Sequence, residues 1–252
     1  MVRNRGDAGL DAVIRDRRLG MMFQPIFDLA TGELVGVEAL ARIPADSAQS
    51  PVPWFQRAGS VGRAAELDLV AAEAVVAACE ELPVDLYLAV NLTPAGALDR
   101  RVQAVLGSSR CRLVVEITEH AVVDDYESLN AAAATFRKGG ARIAVDDAGA
   151  GWASLRHVLE LRPEIVKLDQ AITARITSDP VARALTSALV VFAREVGSTL
   201  LAEGIEVPAQ LDACRELGVA HGQGYLLGRP GTLAGALVGP DATGGPSFDG
   251  PP

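Results

Sequence analysis

The sequence is short of aromatic residues and of groups that bind zinc. Aromatic residues make up 4% of the 252 residues and hydrophobic residues 49%, so the core must be built mainly from alanine, valine and leucine. The three histidines show none of the spacings typical of a zinc site. The cysteines, Cys79, Cys111 and Cys214, are odd in number and widely spaced. We therefore predict buried free thiols and no disulfide framework.

Long apolar runs and an excess of positive charge are also missing. No uninterrupted apolar segment approaches the roughly 18 residues of a membrane span, and the chain opens without a positively charged leader. These absences predict a cytoplasmic protein with no membrane contact within this chain. The formal net charge is −9. Binding to a nucleic acid polymer needs a cationic surface, so the charge argues against it.

Five short apolar runs each end on a residue that can bind a metal or move a proton. The run ends fall 21 to 36 positions apart, which leaves room for a helix between them. Such runs are typical of parallel strands covered by helices, whose carboxyl ends open onto one rim. The runs are LYLAVN ending at Asn91, RLVVE at Glu116, RIAVDD at Asp146 and Asp147, EIVK at Lys167, and LLAE at Glu203.

Carboxylates gathered at one rim repel one another unless they are partly protonated or have cations among them. Hard oxygen ligands favour Mg²⁺ or Mn²⁺. Two such ions can generate hydroxide near neutral pH and neutralise both oxygens of an in-line displacement. Adjacent Asp146 and Asp147 suit a pair of ions. Ca²⁺ prefers longer bonds and more ligands, so we predict that it inhibits catalysis at such a two-ion site.

The order of the predicted elements indicates an α/β fold, a TIM-like (β/α)8 barrel with one antiparallel strand. The length fits such a barrel, which typically has about 250 residues. Residues 21–28 and 33–43 bracket a tight connection at 30–32, typical of a hairpin. Helices and strands then alternate, and the eighth strand carries Gln223. We predict a helical lead-in over residues 1–19, the barrel over 20–238, and a disordered tail rich in glycine and proline over 239–252.

Eight motifs now carry a resemblance to a known family. Together they closely resemble the EAL-domain family of cyclic di-GMP phosphodiesterases, from about residue 20 to Pro230. In chain order the motifs are Gln24-Pro25-Ile26, Glu38-Ala39-Leu40 with Arg42, Asn91-Leu92, Glu116-Ile117-Thr118-Glu119, Asp146-Asp147-Ala148-Gly149-Ala150-Gly151, Lys167-Leu168-Asp169, Ala202-Glu203-Gly204-Ile205-Glu206 and Gln223-Gly224-Tyr225.

The resemblance implies a metal-dependent hydrolase that opens cyclic di-GMP to linear pGpG with two Mg²⁺ or Mn²⁺ ions, in a homodimer. It implies a role for each matching residue. The metal ligands are Glu38, Asn91, Glu116 and Asp146, with Asp147 and Glu203 at the second ion; Lys167, Glu203, Gln223 and Glu38 are the catalytic set; Gln24, Leu40 and Arg42 contact substrate; Glu119 and Glu206 support the metal loop.

Several of these residues have alternative roles. Arg42 could pair with a surface acid, although its planar guanidinium suits phosphate. Lys167 could belong to a buried structural ion pair, while Asp169, on the other face of its strand, points to the helices. Glu119 and Glu206 could be solvated loop acids.

Two positions depart from the family pattern. Ala148 replaces a common phenylalanine in a loop that, in the family, couples metal binding to dimerisation, and Ile43 replaces a common tryptophan. Neither change removes a ligand. The alternative function is a catalytically silent cyclic di-GMP receptor, but such relatives normally lack a ligand or the lysine. A protein-interaction scaffold is a third possibility, and it would need neither Arg42 nor the acids.

Overall fold

A computed structural model of the chain describes residues 5–43, 51–118, 125–148 and 152–238. Eight strands form a closed barrel in chain order, in which β1 is antiparallel to both β2 and β8 and every other pair is parallel. The predicted barrel with one reversed strand is therefore confirmed. The strands are β1 Gly20–Asp28, β2 Leu34–Arg42, β3 Tyr87–Leu92, β4 Arg112–Ile117, β5 Arg142–Ala148, β6 Ile165–Leu168, β7 Thr199–Ala202 and β8 His221–Gly222.

The predicted hairpin joins β1 to β2. Asp28 accepts hydrogen bonds from the N–H groups of Ala30 and Thr31, each at 2.9 Å, and Gly32 adopts a φ of 75°. Glycine adopts such a φ without strain. The resulting register places Gln24 opposite Glu38, so both motifs reach the same end of the barrel.

Helices cover the outside of the barrel. They are α1 Arg5–Asp16, α2 Val52–Ser60, α3 Ala64–Ala78, α4 Pro94–Leu98, α5 Arg100–Gly107, α6 Tyr126–Lys138, α7 Trp152–Leu161, α8 Gln170–Thr173, α9 Pro180–Val196, α10 Pro208–Leu217 and α11 Leu233–Ala236. α9 begins after Asp179, whose side chain accepts from the Val181 N–H and so caps the helix, and it ends at Gly197, whose φ is 76°. Residues 239–252, predicted to form a tail, lie outside the described residues.

Of the three buried apolar clusters in the described residues, two follow strand alternation. Inside the barrel, small apolar side chains such as Ala89, Val114 and Ala144 form one buried cluster. A larger cluster packs between the strands and the helices, with Leu88, Val115 and others. The interior is thus a packed core, and the polar site is confined to the carboxyl ends of the strands.

The cysteine prediction is wrong for two of the three residues. Cys79, just after α3, and Cys111, just before β4, form a disulfide with their Cα atoms 5.6 Å apart. That separation is typical of disulfides. They are 32 positions apart in sequence, so the fold and not the local sequence brings them together. Cys214 is a buried free thiol as predicted, and burial raises its pKa to about 12.

Candidate active site

The ammonium group of Lys167 is the centre of the site. It lies near the end of β6 with 1% of the residue exposed and is 2.7 Å from both Glu116 Oε2 and Glu203 Oε1. Asp146 Oδ1 and Glu38 Oε2 follow at 3.4 and 3.5 Å. Glu116, Asp146 and Glu203 therefore meet one lysine, as the pattern of strand ends predicts, and Glu38 joins them from within β2, as the family resemblance implies.

Glu38 accepts hydrogen bonds from two side-chain amides of the site. Asn91 Nδ2 donates to Glu38 Oε1 at 2.7 Å, and Gln223 Nε2 donates to Glu38 Oε2 at 2.7 Å. The same Gln223 nitrogen lies 3.1 Å from Glu203 Oε1. Gln223 follows the two-residue β8 directly, so the eighth strand is shorter than predicted but still delivers the residue.

Burial and charge shift the pKa values of the cluster. Burial raises the pKa of Glu116 well above its ordinary value, and the neighbouring Glu38 adds to the rise. Burial also raises the pKa of Glu203, to about 8, despite the nearby lysine. Burial opposes the charge on Lys167, but the surrounding carboxylates overcome it and hold its pKa well above the ordinary value. The lysine is therefore charged at neutral pH.

A cavity of about 1090 Å³ opens beside this cluster. The site residues Glu38, Asn91 and Asp146 lie in its wall, with Leu40 and Arg42 from β2. The cavity continues between α2 and α3, where Phe55, Gln56 and Ala65 line it, and half-exposed Tyr225 stands at its edge. Its size is that of a small-molecule site.

Other predicted site residues are placed differently. Gln24 is buried, and its amide donates to the Gly228 carbonyl at 3.1 Å; it is not among the residues that line the cavity. Glu206 is exposed. Only the backbone of Asp147 and Ala148, within β5, is described, and Glu119 lies outside the described residues.

Sequence reasoning missed two residues beside the site, Asp68 and Thr93. Asp68 lies on α3 with no exposed surface and accepts hydrogen bonds from Thr93, just beyond β3. The available signal was an aspartate inside the apolar stretch LDLVAA, a position that an acid rarely occupies without a partner. Its partner could not be read from the sequence.

The oxygen atoms of the site are suitable ligands for a divalent ion, although the carboxyl groups face Lys167. Within the described ranges, no three carboxyl, imidazole or thiol groups already stand as a metal cage. Glu38, Asn91, Glu116 and Asp146 nevertheless supply the hard oxygens that Mg²⁺ and Mn²⁺ prefer. In the same part of the chain, Gln223 Oε1 is buried without a hydrogen-bond partner. A buried polar atom of this kind requires an explanation, and a bound ion or its water would give one.

A family model described as EAL domain matches residues 8–230. The chain belongs to the EAL domain family. The resemblance read from the eight motifs is therefore confirmed. Among curated relatives, the cyclic di-GMP phosphodiesterase NbdA of Pseudomonas aeruginosa is 30% identical over 242 residues, covering 89% of this chain and 30% of that protein. The chain spans about a third of the length of the curated relatives it matches.

Solved structures agree with the fold. An EAL domain protein from Listeria monocytogenes matches with a TM-score of 0.78 at 22% identity, over 93% of this chain and 96% of that one. The PaMucR phosphodiesterase in complex with cyclic di-GMP matches with a TM-score of 0.76 at 25% identity, over 92% and 99%. A Klebsiella pneumoniae BlrP1 complex with manganese and cyclic di-GMP matches with a TM-score of 0.75 at 25% identity, over 84% and 56%. Among the described helices of this chain, none is long and apolar enough to span a membrane.

Proposed function

We propose that this chain hydrolyses one phosphodiester bond of cyclic di-GMP to give linear pGpG, using two Mg²⁺ or Mn²⁺ ions. The observation that carries the proposal is the buried Lys167 cluster beside a cavity large enough for a dinucleotide. A buried ion network is weak evidence for stability, because apolar residues of similar volume usually stabilise a fold as well or better. The cluster is therefore better explained by chemistry at the cavity.

Glu38, Asn91, Glu116 and Asp146 would hold one ion, and Asp147 and Glu203 a second beside it. Bound there, the ions would lower the pKa of water and neutralise charge on the attacking and leaving oxygens.

The chain's own residues supply orientation and proton handling. Lys167 Nζ can donate to an attacking water oxygen, because it already donates within the cluster at 2.7 Å. Glu203 lies 2.7 Å from Lys167 Nζ, where its carboxylate can accept a proton from the attacking water once an ion is bound beside it. Arg42 lines the cavity and suits a phosphate.

The second candidate is a receptor that binds cyclic di-GMP without cleaving it. It uses the same cavity, and the structure of PaMucR with cyclic di-GMP shows binding in a relative. A receptor has no need for Lys167 among four carboxyl groups, which favours the enzyme. Cytoplasmic location and assembly as a homodimer also remain proposals, and neither is needed for the chemistry.

Incubation of the chain with cyclic di-GMP and Mn²⁺ tests the proposal. We expect linear pGpG by chromatography, with turnover lost in EDTA and restored by Mn²⁺ or Mg²⁺. A Lys167→Met variant should bind substrate but not cleave it. A variant at exposed Lys138, the only other lysine, should behave as wild type. Tight binding of cyclic di-GMP with no product at saturating Mn²⁺ would establish the receptor instead.

A further inference from the structure

A carboxyl group that the proposed chemistry does not use is buried beside the site. Asp68 and Thr93 are both among the residues that line the cavity beside Asn91, although Asp68 itself has no exposed surface. Its Oδ1 is buried with no hydrogen-bond partner in the described part of the chain. Burying such an oxygen is unfavourable, and an apolar side chain would avoid the penalty. Fold stability alone therefore does not account for an acid here.

The other oxygen of Asp68 holds the turn that follows β3. Both the hydroxyl and the backbone N–H of Thr93 donate to Oδ2, the N–H at 3.3 Å. The same hydroxyl accepts from the Gly96 N–H at 3.1 Å and so caps α4. A hydroxyl has one proton, which goes to the carboxyl group, and its lone pair serves the cap. The orientation of the Thr93 side chain is thereby fixed.

Close packing makes this junction rigid. A Cβ on Gly96 would overlap Asp68 Oδ2, so α4 lies directly against the carboxyl group. Asn91 is two residues before Thr93, and its amide donates to Glu38 at 2.7 Å. A displacement of the turn would move the end of β3 and the Asn91 amide with it.

We propose that Asp68 is a positioning residue, which acts through Thr93 to hold Asn91 at the candidate metal site. The expected effect of Asp68 on metal binding rests on the proposed function. Asp68 has no exposed surface, and its described hydrogen bonds come from Thr93, so its effect on Asn91 passes through the turn. Residues that orient metal ligands typically change metal affinity by 10- to 100-fold when they are replaced. We expect a loss of Mn²⁺ affinity of about tenfold when the Thr93 hydroxyl is removed.

The chain offers a matched control for this test. Thr232 caps α11 by accepting from the Gly235 N–H at 3.2 Å, with the same Thr-x-x-Gly spacing as Thr93 and Gly96. Thr93→Val and Thr232→Val therefore remove the same kind of cap, but only the first removes the contact with Asp68. Thr93→Ser restores the hydroxyl. Three quantities are measured: the NMR signals of the Asn91 side-chain amide, the Mn²⁺ dissociation constant by calorimetry, and the Tm.

We expect Thr93→Val to shift and broaden the Asn91 amide signals and to weaken Mn²⁺ binding. Thr93→Ser and Thr232→Val should leave both as in wild type. Equal amide signals and equal Mn²⁺ affinity in the two valine variants would overturn the proposal. The amide signals are read without metal or substrate, so a wild type without turnover would refute the proposed function and leave this result interpretable. If valine at 93 prevents folding, Thr93→Ala and Thr232→Ala give the same comparison.

Discussion

Replacing Lys167 with methionine should strongly destabilise the metal-free protein. Methionine keeps about the same side-chain volume but removes the positive charge that neutralises the buried carboxyl groups. The lysine is almost fully buried and lies within 3.5 Å of four carboxyl groups, two of them at 2.7 Å. Removing one partner of a buried ion pair typically costs about 3–5 kcal/mol. We expect the free energy of unfolding at pH 8 in EDTA to fall by about that amount.

The size of the loss should depend on pH. Without the ammonium, the remaining carboxyl groups hold protons more tightly in the native state than in the unfolded state. In wild type the lysine lowers the pKa values of Glu116 and Glu203, so its removal raises both further and the native variant binds more protons than native wild type. The native variant then binds more protons than its unfolded form, so its free energy of unfolding decreases as the pH rises from 6 to 8. The difference from wild type should therefore be smaller at pH 6.

Urea unfolding followed by circular dichroism measures this loss, and Lys138→Met is the control. Lys138 is exposed near the end of α6, so that variant should stay within about 0.5 kcal/mol of wild type. Mn²⁺ should rescue Lys167→Met, since a ligand at 100 times its dissociation constant adds about 2.7 kcal/mol. If Lys167→Met and Lys138→Met unfold at the same urea concentration in EDTA at pH 8, the lysine does not neutralise the cluster and our reading of the site is wrong.

Three further predictions concern the ions, one ligand and the buried acid. Ca²⁺ should suppress turnover measured with Mg²⁺ or Mn²⁺, because it prefers longer bonds and more ligands; equal rates with Ca²⁺ would contradict a two-ion site. Glu38→Gln should lower kcat by about 10²-fold with only a modest fall in Tm, because it removes a ligand charge and keeps an oxygen for the Asn91 amide but places an NH2 group opposite the Gln223 donor. A large fall in Tm with the rate retained per folded molecule would make Glu38 structural. Asp68→Asn should gain stability relative to wild type between pH 5 and pH 7. Burial raises the pKa of Asp68 to about 7, so native wild type retains a proton that the unfolded chain has lost. Its free energy of unfolding therefore falls with rising pH, by at most about 1.4 kcal/mol per pH unit. Parallel pH profiles for wild type and Asp68→Asn would refute the raised pKa.

Local patterns predicted the parts of the site that depend on strand ends. Asn91, Glu116 and Lys167 terminate apolar runs, and a parallel barrel brings such ends together whatever the loops do. Contacts between distant segments were not predictable in this way. The disulfide between Cys79 and Cys111 and the bond from Gln24 to Gly228 depend on how helices and loops pack. For the same reason, the sequence shows that Asp68 is an acid within an apolar stretch but does not identify its partner, Thr93.

The structure also bears on the alternative role for Lys167. Asp169 does not pair with the lysine; it accepts from the Ala171 N–H and begins α8. A purely structural ion pair would need one acid, whereas four carboxyl groups from four strands surround this lysine. Like charges at such distances repel strongly and persist only with compensation. One ammonium cannot compensate four carboxylates, so the cluster must hold extra protons or bind cations. The pKa values of Glu116 and Glu203 are raised, so protons fill this role in the metal-free protein, and a divalent cation bound beside the cavity would release them.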